Sequence, residues 1–425
     1  MTDGSVIVAG AGLAGLVTAR RLAAAGADVT VCEERSGVGG RVRTGSHQGF
    51  TLDRGFQVLF TAYPAVRREL DLPALDLRYF TPGAIIARPG SRSVLSDPFR
   101  DPRALPASIR TDEVTLTDKA RTLLLRQHVG ARDEAELFSS PDRSIRSYLR
   151  EWGFSESYIR NFVAPFYGGI TLDRSLSTSK RVFEYTFKSL SEGRIAVPAA
   201  GIEAVPEQLA DRAEAAGASI RCGDRVESIT DRGGGVTVET ASGTVEADAA
   251  VVATDPKEAA RLTGVDAIPT DARGCVTQYY RLPEDSAPTT RRKLLLNAGD
   301  PSPNTVVPTS EVAPEYAPEG EALFNATFLD DAAHDRSAES LAEETRLTLE
   351  AWYPDREFSA LEPVRTHRIE FAQFDQPPGI HDSLPDVRAP GGRTYLAGDY
   401  TAWSAIQGAM RSGREAAAAV RSDLR

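Results

Sequence analysis

The residues best suited to chemistry stand at the start of the chain. Gly10-Ala11-Gly12-Leu13-Ala14-Gly15 follows the apolar, β-branched run Val6-Ile7-Val8 and leads into a helical pattern over Leu16 to Ala25. Strand, tight glycine turn and helix is the arrangement that holds a dinucleotide. Gly10 lets the chain turn, Gly12 lets backbone N–H groups approach a pyrophosphate, and Gly15 lets helix and strand close up. The helix start adds unpaired N–H groups and the positive end of the helix dipole. Gly26 ends the helix, and Asp28-Val29-Thr30-Val31-Cys32 reads as a second parallel strand. Glu33 closes that strand about 20 residues beyond the glycines, where a carboxylate accepts the hydroxyls of an adenosine ribose. Tight helix–strand packing alone can also select small residues, but strand, spacing, helix and acid together favour the nucleotide.

A second glycine turn narrows the ligand: Glu34-Arg35-Ser36-Gly37-Val38-Gly39-Gly40-Arg41. Its paired glycines admit close backbone approach, and Arg41 can hold a diphosphate as a bidentate donor. The other strong signal is C-terminal: Leu396-Ala397-Gly398-Asp399-Tyr400-Thr401, then an Ala-rich helix beginning near Gln407. Asp399 can accept a ligand hydroxyl. The helix start at Gln407 to Ala409 can turn N–H groups and positive dipole toward a bound group that gains negative charge.

These segments resemble the flavin monoamine oxidase, phytoene desaturase and protoporphyrinogen oxidase superfamily. Its opening reads much like Gly10 to Gly15, Glu33 and Gly39-Gly40-Arg41, and Gly398-Asp399-Tyr400-Thr401 is most similar to its carotenoid-desaturase branch. The resemblance implies tightly bound FAD, with Leu13, Ala14, Glu34 and Arg35 among the contacting residues, Asp399 accepting a ribityl hydroxyl, and the helix start at Gln407 to Ala409 facing the flavin N1 and C2 carbonyl, where charge gathers on reduction. It also implies that Gly55, Phe56 and Gln57 lie beside the isoalloxazine and that the backbone of Val226 touches the adenine. Gln57, Tyr167 and Tyr400 are the candidate catalytic residues near the ring. The aromatic and glycine-rich stretch Asn161 to Ile170 reads either as lining of a substrate cavity or as a packed helix end with a glycine cap.

The elements that must position these residues imply an α/β fold. A discontinuous Rossmann-type FAD-binding domain (residues 1–75, 195–265 and 385–425) is interrupted by a substrate domain of mixed sheet and helices (76–194 and 266–384). Within the insert, Pro82, Pro89, Pro98, Pro102 and Pro106 punctuate short strands, and helical patterns follow at Leu116–Gln127 and Ser144–Trp152. The first domain resumes with a helix over Val205–Ala216 and a buried strand from Asp248 to Thr254. Strands at Gly274–Leu282 and Ala322–Leu329 and a helix at Ala338–Tyr353 belong to the second half of the insert.

At 425 residues the chain can bury a large core, and its net charge of −11 disfavours nucleic acid and anionic membrane surfaces as general partners. Only five of the 49 basic residues are Lys, against 60 acidic ones, a balance that suits concentrated salt. Three scattered Cys (32, 222, 275) point to a reducing cytoplasm, and five His (47, 128, 334, 367, 381) show no ligand spacing, so no metal is expected. No signal peptide or membrane-spanning apolar run is visible, which leaves peripheral membrane contact at most.

A single dinucleotide fingerprint argues against a separate nicotinamide domain. The leading reaction is removal of a hydride from a bound hydrophobic molecule, of the desaturase or dehydrogenase type and isoprenoid among the candidates, with oxygen or a quinone as final acceptor. Amine oxidation is the alternative, and it meets two departures. Ala405 stands where that branch carries an aromatic residue before the last helix, although Trp403 is close. Cys275 stands nearest its flavin-bridging lysine, and no lysine lies between 258 and 292. A third reading is a non-redox isomerase or mutase that uses reduced FAD.

Overall fold

The computed structural model describes residues 4–95 and 114–424; Pro98, Pro102 and Pro106 lie outside them. A five-stranded parallel sheet runs in the order Ser219–Cys222, Asp28–Glu33, Ser5–Ala9, Ala249–Val252, Thr394–Leu396. Val6 to Ala9 and Ala249–Val252, in two inner strands, read as unbroken apolar runs because both faces are covered. Val6, Val8, Val29 and Val31 bury under helices Leu13–Ala23, Ala204–Ala215 and Ile406–Asp423. The alternate residues Ile7, Ala9, Cys32 and Ala250 bury under an antiparallel meander of Val226–Asp231, Val236–Thr240 and Gly243–Ala247. The last helix lies directly on the first: a Cβ on Gly413 would stand 2.3 Å from the Ala14 carbonyl oxygen.

The second body is a seven-stranded mixed sheet, in the order Glu362–Phe374, Ala272–Pro283, Glu321–Phe328, Thr305–Val307, Leu294–Asn297, Ala84–Arg88, Ser91–Leu95. One face, with Val276, Tyr280, Phe324, Ala326 and Phe328, buries against Leu341, Leu349 and Trp352 of helix Ala338–Trp352. The opposite face carries Thr277, Tyr279, Leu323 and Val307 and looks toward Phe50 and Leu52. A helical layer covers the end of this sheet through helices Leu116–Gly130, Ile145–Glu151, Ala164–Thr171 and Lys180–Glu192. The two bodies are stitched by a small sheet in which Ile195–Pro198 pairs with both Leu59–Phe60 and Leu77–Tyr79. Among the described residues no helix is long and apolar enough to cross a membrane.

The stretch Asn161 to Ile170 is not a helix end with a glycine cap. A π-helical turn, Ile159–Val163, runs into helix Ala164–Thr171, which passes through Gly168 and Gly169 and ends at Leu172 in the left-handed region (φ 53°). A Cβ on Gly168 would come within 2.8 Å of the Arg174 Cα, so these glycines serve close packing, and the cap is a leucine.

Candidate functional site

The nucleotide end is built by two glycine turns laid against each other, joined by the hydrogen bond from Gly39 N–H to the Ala11 carbonyl (2.9 Å). Gly10 has φ 103°, and a Cβ there would sit 2.8 Å from the Ala253 oxygen; one on Gly15 would sit 2.0 Å from the Gly10 oxygen. Both are packed shut. Gly12 differs: a Cβ there meets nothing within 4 Å, and one on Gly40 meets only the Gly12 Cα at 3.4 Å. An open cradle therefore lies over Gly12 and Gly40 at the start of helix Leu13–Ala23, which no side chain caps. Backbone donors facing a space that only a glycine leaves free fit a pyrophosphate. Glu33 is held rigidly beside it, one oxygen accepting from Ala11 N–H (2.8 Å) and the other from Arg35 N–H (3.0 Å). Each oxygen keeps a second lone pair for a ribose hydroxyl. Glu34 and Arg35 are exposed at the rim, and Val226 is buried where the meander begins.

At the other end of the cradle the two halves of the sequence meet. Arg41 donates to one oxygen of Asp399 at 2.7 Å, and Ser404 Oγ donates to the other at 2.7 Å. Burial opposes the charge on Arg41, but the adjoining Asp399 carboxylate more than offsets it and holds the guanidinium above its usual range. The residues read separately as diphosphate and ribityl partners thus form one ion pair that fixes both. Gly398 N–H is tied to Ser412 Oγ (2.9 Å) on the last helix. That helix opens at Ala405 with no side-chain cap, and a Cβ on Gly408 would stand 2.0 Å from the Trp403 oxygen. Gln407 does not reach outward: it accepts from Ala65 N–H (2.8 Å) and donates to Glu134 (3.1 Å). Ala405, Ile406 and Ala409 are left half-exposed along the helix start.

The third wall is the Gly55 turn. Gly55 has φ 91°, and a Cβ there would meet the Ile369 Cδ1 at 2.8 Å. Phe56, Gln57 and Val58 are half-exposed although the strands on either side are buried. The turn is anchored by Asp53, whose carboxylate accepts from Thr44 Oγ1, Ile202 N–H and the Tyr316 hydroxyl. Burial nevertheless pushes Asp53 up to about 6. Tyr279 donates its hydroxyl to the Asp53 carbonyl at 2.9 Å. No periodic pattern marks Tyr279 or Tyr316 as supports of this turn.

The candidate catalytic residues separate. Gln57 stays at the half-open strip, its amide donating to the carbonyls of Arg41 (3.0 Å) and Arg54 (3.1 Å). Tyr167 is buried, edge-on to Phe183 at 4.6 Å. Tyr400 is fully buried, its hydroxyl donating to the Val252 carbonyl at 3.0 Å beneath the parallel sheet. Neither tyrosine is brought to the strip with Gln57. Trp403 is also occupied: it lies within 6 Å of Tyr63, Phe138 and Tyr185, with its indole N–H toward Glu134 at 3.4 Å. Cys275 is buried, and burial raises its thiol to about 11, so it stays neutral. The sequence gives no warning of Glu134. Its carboxylate gathers Tyr185, Gln407 and Arg411 as well as Trp403, and so joins the helical layer to the last helix.

The family of flavin containing amine oxidoreductases matches residues 13–421. A phytoene dehydrogenase of Streptomyces griseus is 29% identical over 290 residues, 61% of this chain and 56% of that protein. Polyamine oxidase 2 of Arabidopsis thaliana is 31% identical over 260 residues, 59% of this chain and 50% of that protein. The chain thus aligns over about half the length of these curated relatives. The structure of cyclohexylamine oxidase from Brevibacterium oxydans superposes with a TM-score of 0.70 at 19% identity, covering 99% of each chain, which establishes the shared α/β fold. The cradle, the Arg41–Asp399 pair and this match agree: the chain belongs to the flavin containing amine oxidoreductases, and its cofactor is FAD.

Proposed function

We propose that this oxidoreductase removes a hydride from a carbon of a largely apolar organic molecule, in the manner of a desaturase or dehydrogenase, with isoprenoids among its substrates. One observation carries the reading: Phe56, Phe162 and Phe166 are half-exposed in the interior beside the Gly55 turn, with Phe162 and Phe166 stacked at 5.5 Å. Apolar walls that stay solvent-accessible inside a large protein are what a hydrophobic ligand covers. Phe162 rides on the π-helical turn, and such turns gather at functional sites.

FAD held in the cradle would accept the hydride at N5, the proton lost from the neighbouring carbon would pass to solvent, and oxygen or a quinone would take up two electrons and two protons. The chain's own part is positional. The Gly55 turn sets one wall, the Ala405 helix start directs positive dipole toward the ring edge where negative charge develops, and the aromatic wall excludes water from the reacting carbon. The second reading, amine oxidation, draws on the polyamine oxidase relative. It is disfavoured by Trp403, which its neighbours already occupy, and by the neutral thiol of Cys275. A non-redox flavin isomerase is the remaining alternative. A cytoplasmic setting and tolerance of concentrated salt belong to the same proposal, resting on the scattered Cys and the Lys-poor, acidic composition.

Anaerobic titration of the FAD-loaded protein against isoprenoid and amine panels tests it. Bleaching of the oxidised-flavin band by an isoprenoid supports the proposal. Bleaching by amines alone transfers the chain to the second reading, and isomerisation without bleaching to the third.

A further inference from the structure

The edge strand Glu362–Phe374 of the seven-stranded sheet ends against the cofactor site. Arg41, already paired with Asp399, donates its other terminal nitrogen to the Ala372 carbonyl at 3.2 Å. Its guanidinium carbon lies 5.9 Å from the ring centre of Phe371. Just past the strand end stands Gln376, which is 3% exposed and which no sequence motif marks. Its backbone carbonyl accepts from Ser179 N–H at 2.8 Å, at the start of helix Lys180–Glu192 in the helical layer. Its side-chain oxygen accepts from Ser404 N–H at 3.0 Å, in the loop that leads into the last helix. One buried glutamine thus joins the edge strand, the helical layer and the loop beside Asp399.

The partners fix which way the amide points. A backbone N–H can only donate, so the amide oxygen faces Ser404, and the amide nitrogen donates to Gln373 Oε1 at 3.4 Å. Gln373 in turn donates to the Ile170 carbonyl at 3.1 Å. His381 Nε2 stands 3.4 Å from the same Gln376 oxygen. Burial lowers this imidazole to about 4, so the neutral ring carries its proton on the nitrogen that faces the oxygen. Beyond Ser404 the line continues without a gap. The Ser404 hydroxyl donates to one oxygen of Asp399 at 2.7 Å, and Arg41 donates to the other at 2.7 Å. Arg41 then returns to Ala372, on the segment that carries Gln376, and closes the circuit.

We propose that Gln376 is a positioning residue for the flavin, acting through Ser404 on the Asp399 carboxylate and on the helix start at Ala405. Ser404 directly precedes Ala405, and no side chain caps that helix, so the bond to Gln376 holds the residue from which the helix sets out. The side chain's part is separable from the tie between the bodies. The bond from Ser179 goes to the Gln376 backbone and survives any side chain at this position, whereas only an acceptor at the end of a side chain of this length reaches Ser404 N–H. Buried hydrogen bonds in a continuous network reinforce one another, so loss of the first link loosens those that follow. The inference rests on FAD as the cofactor and goes beyond the substrate reading, since it holds equally for hydride removal, amine oxidation or isomerisation.

The FAD-loaded protein tests it through two readouts that packing alone would not move. One is the FAD dissociation constant, from flavin fluorescence on serial dilution of the holoenzyme. The other is the flavin midpoint potential. Gln376→Met keeps the length of the side chain and removes the acceptor. The dissociation constant is expected to rise about fivefold, as the loss of one buried hydrogen bond allows, and the potential to fall as the helix start shifts. Ser404→Ala cuts the next link and changes both readouts in the same direction. Because the two substitutions break one line, Gln376→Met adds less than about twofold to the dissociation constant when Ser404→Ala is already present. A Gln376→Met protein that melts lower yet keeps native FAD binding and potential shows a packing role and overturns the proposal. An effect of Gln376→Met that adds in full to that of Ser404→Ala overturns it as well. If Gln376→Met does not fold, Ser404→Ala decides alone: native FAD binding and potential in that variant overturn the line, and loss of both supports it.

Discussion

Arg41 and Asp399, 358 positions apart, meet in an ion pair of 2.7 Å that joins the second glycine turn to the C-terminal strand. Asp399 is almost fully buried and Arg41 about two-thirds so, with Ser404 completing the carboxylate. Asp399→Ala leaves a guanidinium without its counter-charge in that position. The expected cost is about 1–3 kcal/mol of stability, below the range for a fully buried pair because Arg41 keeps some solvent. FAD occupancy, read as the ratio of flavin to protein absorbance after gel filtration, falls with it. Full retention of both flavin and stability would remove this pair from the cofactor site.

The glycines divide by what lies over them. Gly15→Ala drives a methyl into the Gly10 carbonyl and is expected to cost about 3 kcal/mol or more. Gly12→Ala meets no protein atom within 4 Å and its backbone (φ −76°) suits any residue, so the fold is expected to survive with its melting temperature almost unchanged. Its methyl instead enters the space of the pyrophosphate, and FAD affinity drops. Isothermal titration of the apoprotein with FAD checks this: native-like affinity in Gly12→Ala would place the diphosphate elsewhere.

Asp53 gives a pH signature. Its folded value of about 6 lies above the ordinary 3.8, because burial outweighs its three hydrogen bonds. The folded protein therefore binds more protons than the unfolded chain between those values. The resulting stabilisation is complete below pH 3.8 and is lost as the pH rises through about 6. His381, lowered to about 4 by burial, and other carboxylates titrate nearby, so the difference between native and Asp53→Asn is the informative quantity. Native stability relative to Asp53→Asn is expected to rise from pH 7 to pH 5 in urea titrations; a flat difference would show that Asp53 keeps an ordinary pKa.

The nucleotide half was legible because its rules are local. A turn that must leave room for phosphate needs Gly10, Gly12 and Gly15 in sequence, and Glu33 follows at one strand's distance. The helix read as Val205–Ala216 spans Ala204–Ala215, and the strand read as Gly274–Leu282 spans Ala272–Pro283. The placement of the two candidate tyrosines was not legible. Tyr167 and Tyr400 sit close in sequence to cofactor-type motifs, yet the side chain of Tyr400 points beneath the sheet to Val252, a direction that tertiary packing alone sets. The junction at Gln376 was equally hidden, since Ser179 and Ser404 reach it from separate segments of the chain.

The same hidden order governs Glu134, which was unmarked in the sequence and sits at the junction of the helical layer and the flavin-side helix. It accepts from Tyr185 (2.8 Å), Arg411 (2.9 Å) and Gln407 (3.1 Å), while Gln407 in turn accepts from Ala65 N–H. Glu134→Ala strands several buried or half-buried donors at once, with an expected cost of about 2–4 kcal/mol. The loss is not purely one of stability. Gln407 lies one residue past the helix start that we propose faces the flavin ring, so releasing it would let Ala405 and Ile406 shift relative to the cofactor. The flavin midpoint potential is expected to fall, because a misplaced helix start stabilises the reduced anion less. Glu134→Gln, which keeps one acceptor oxygen, should recover part of both effects. A potential that stays at the native value in a folded, FAD-loaded Glu134→Ala protein would show that the network holds the two bodies together without tuning the ring.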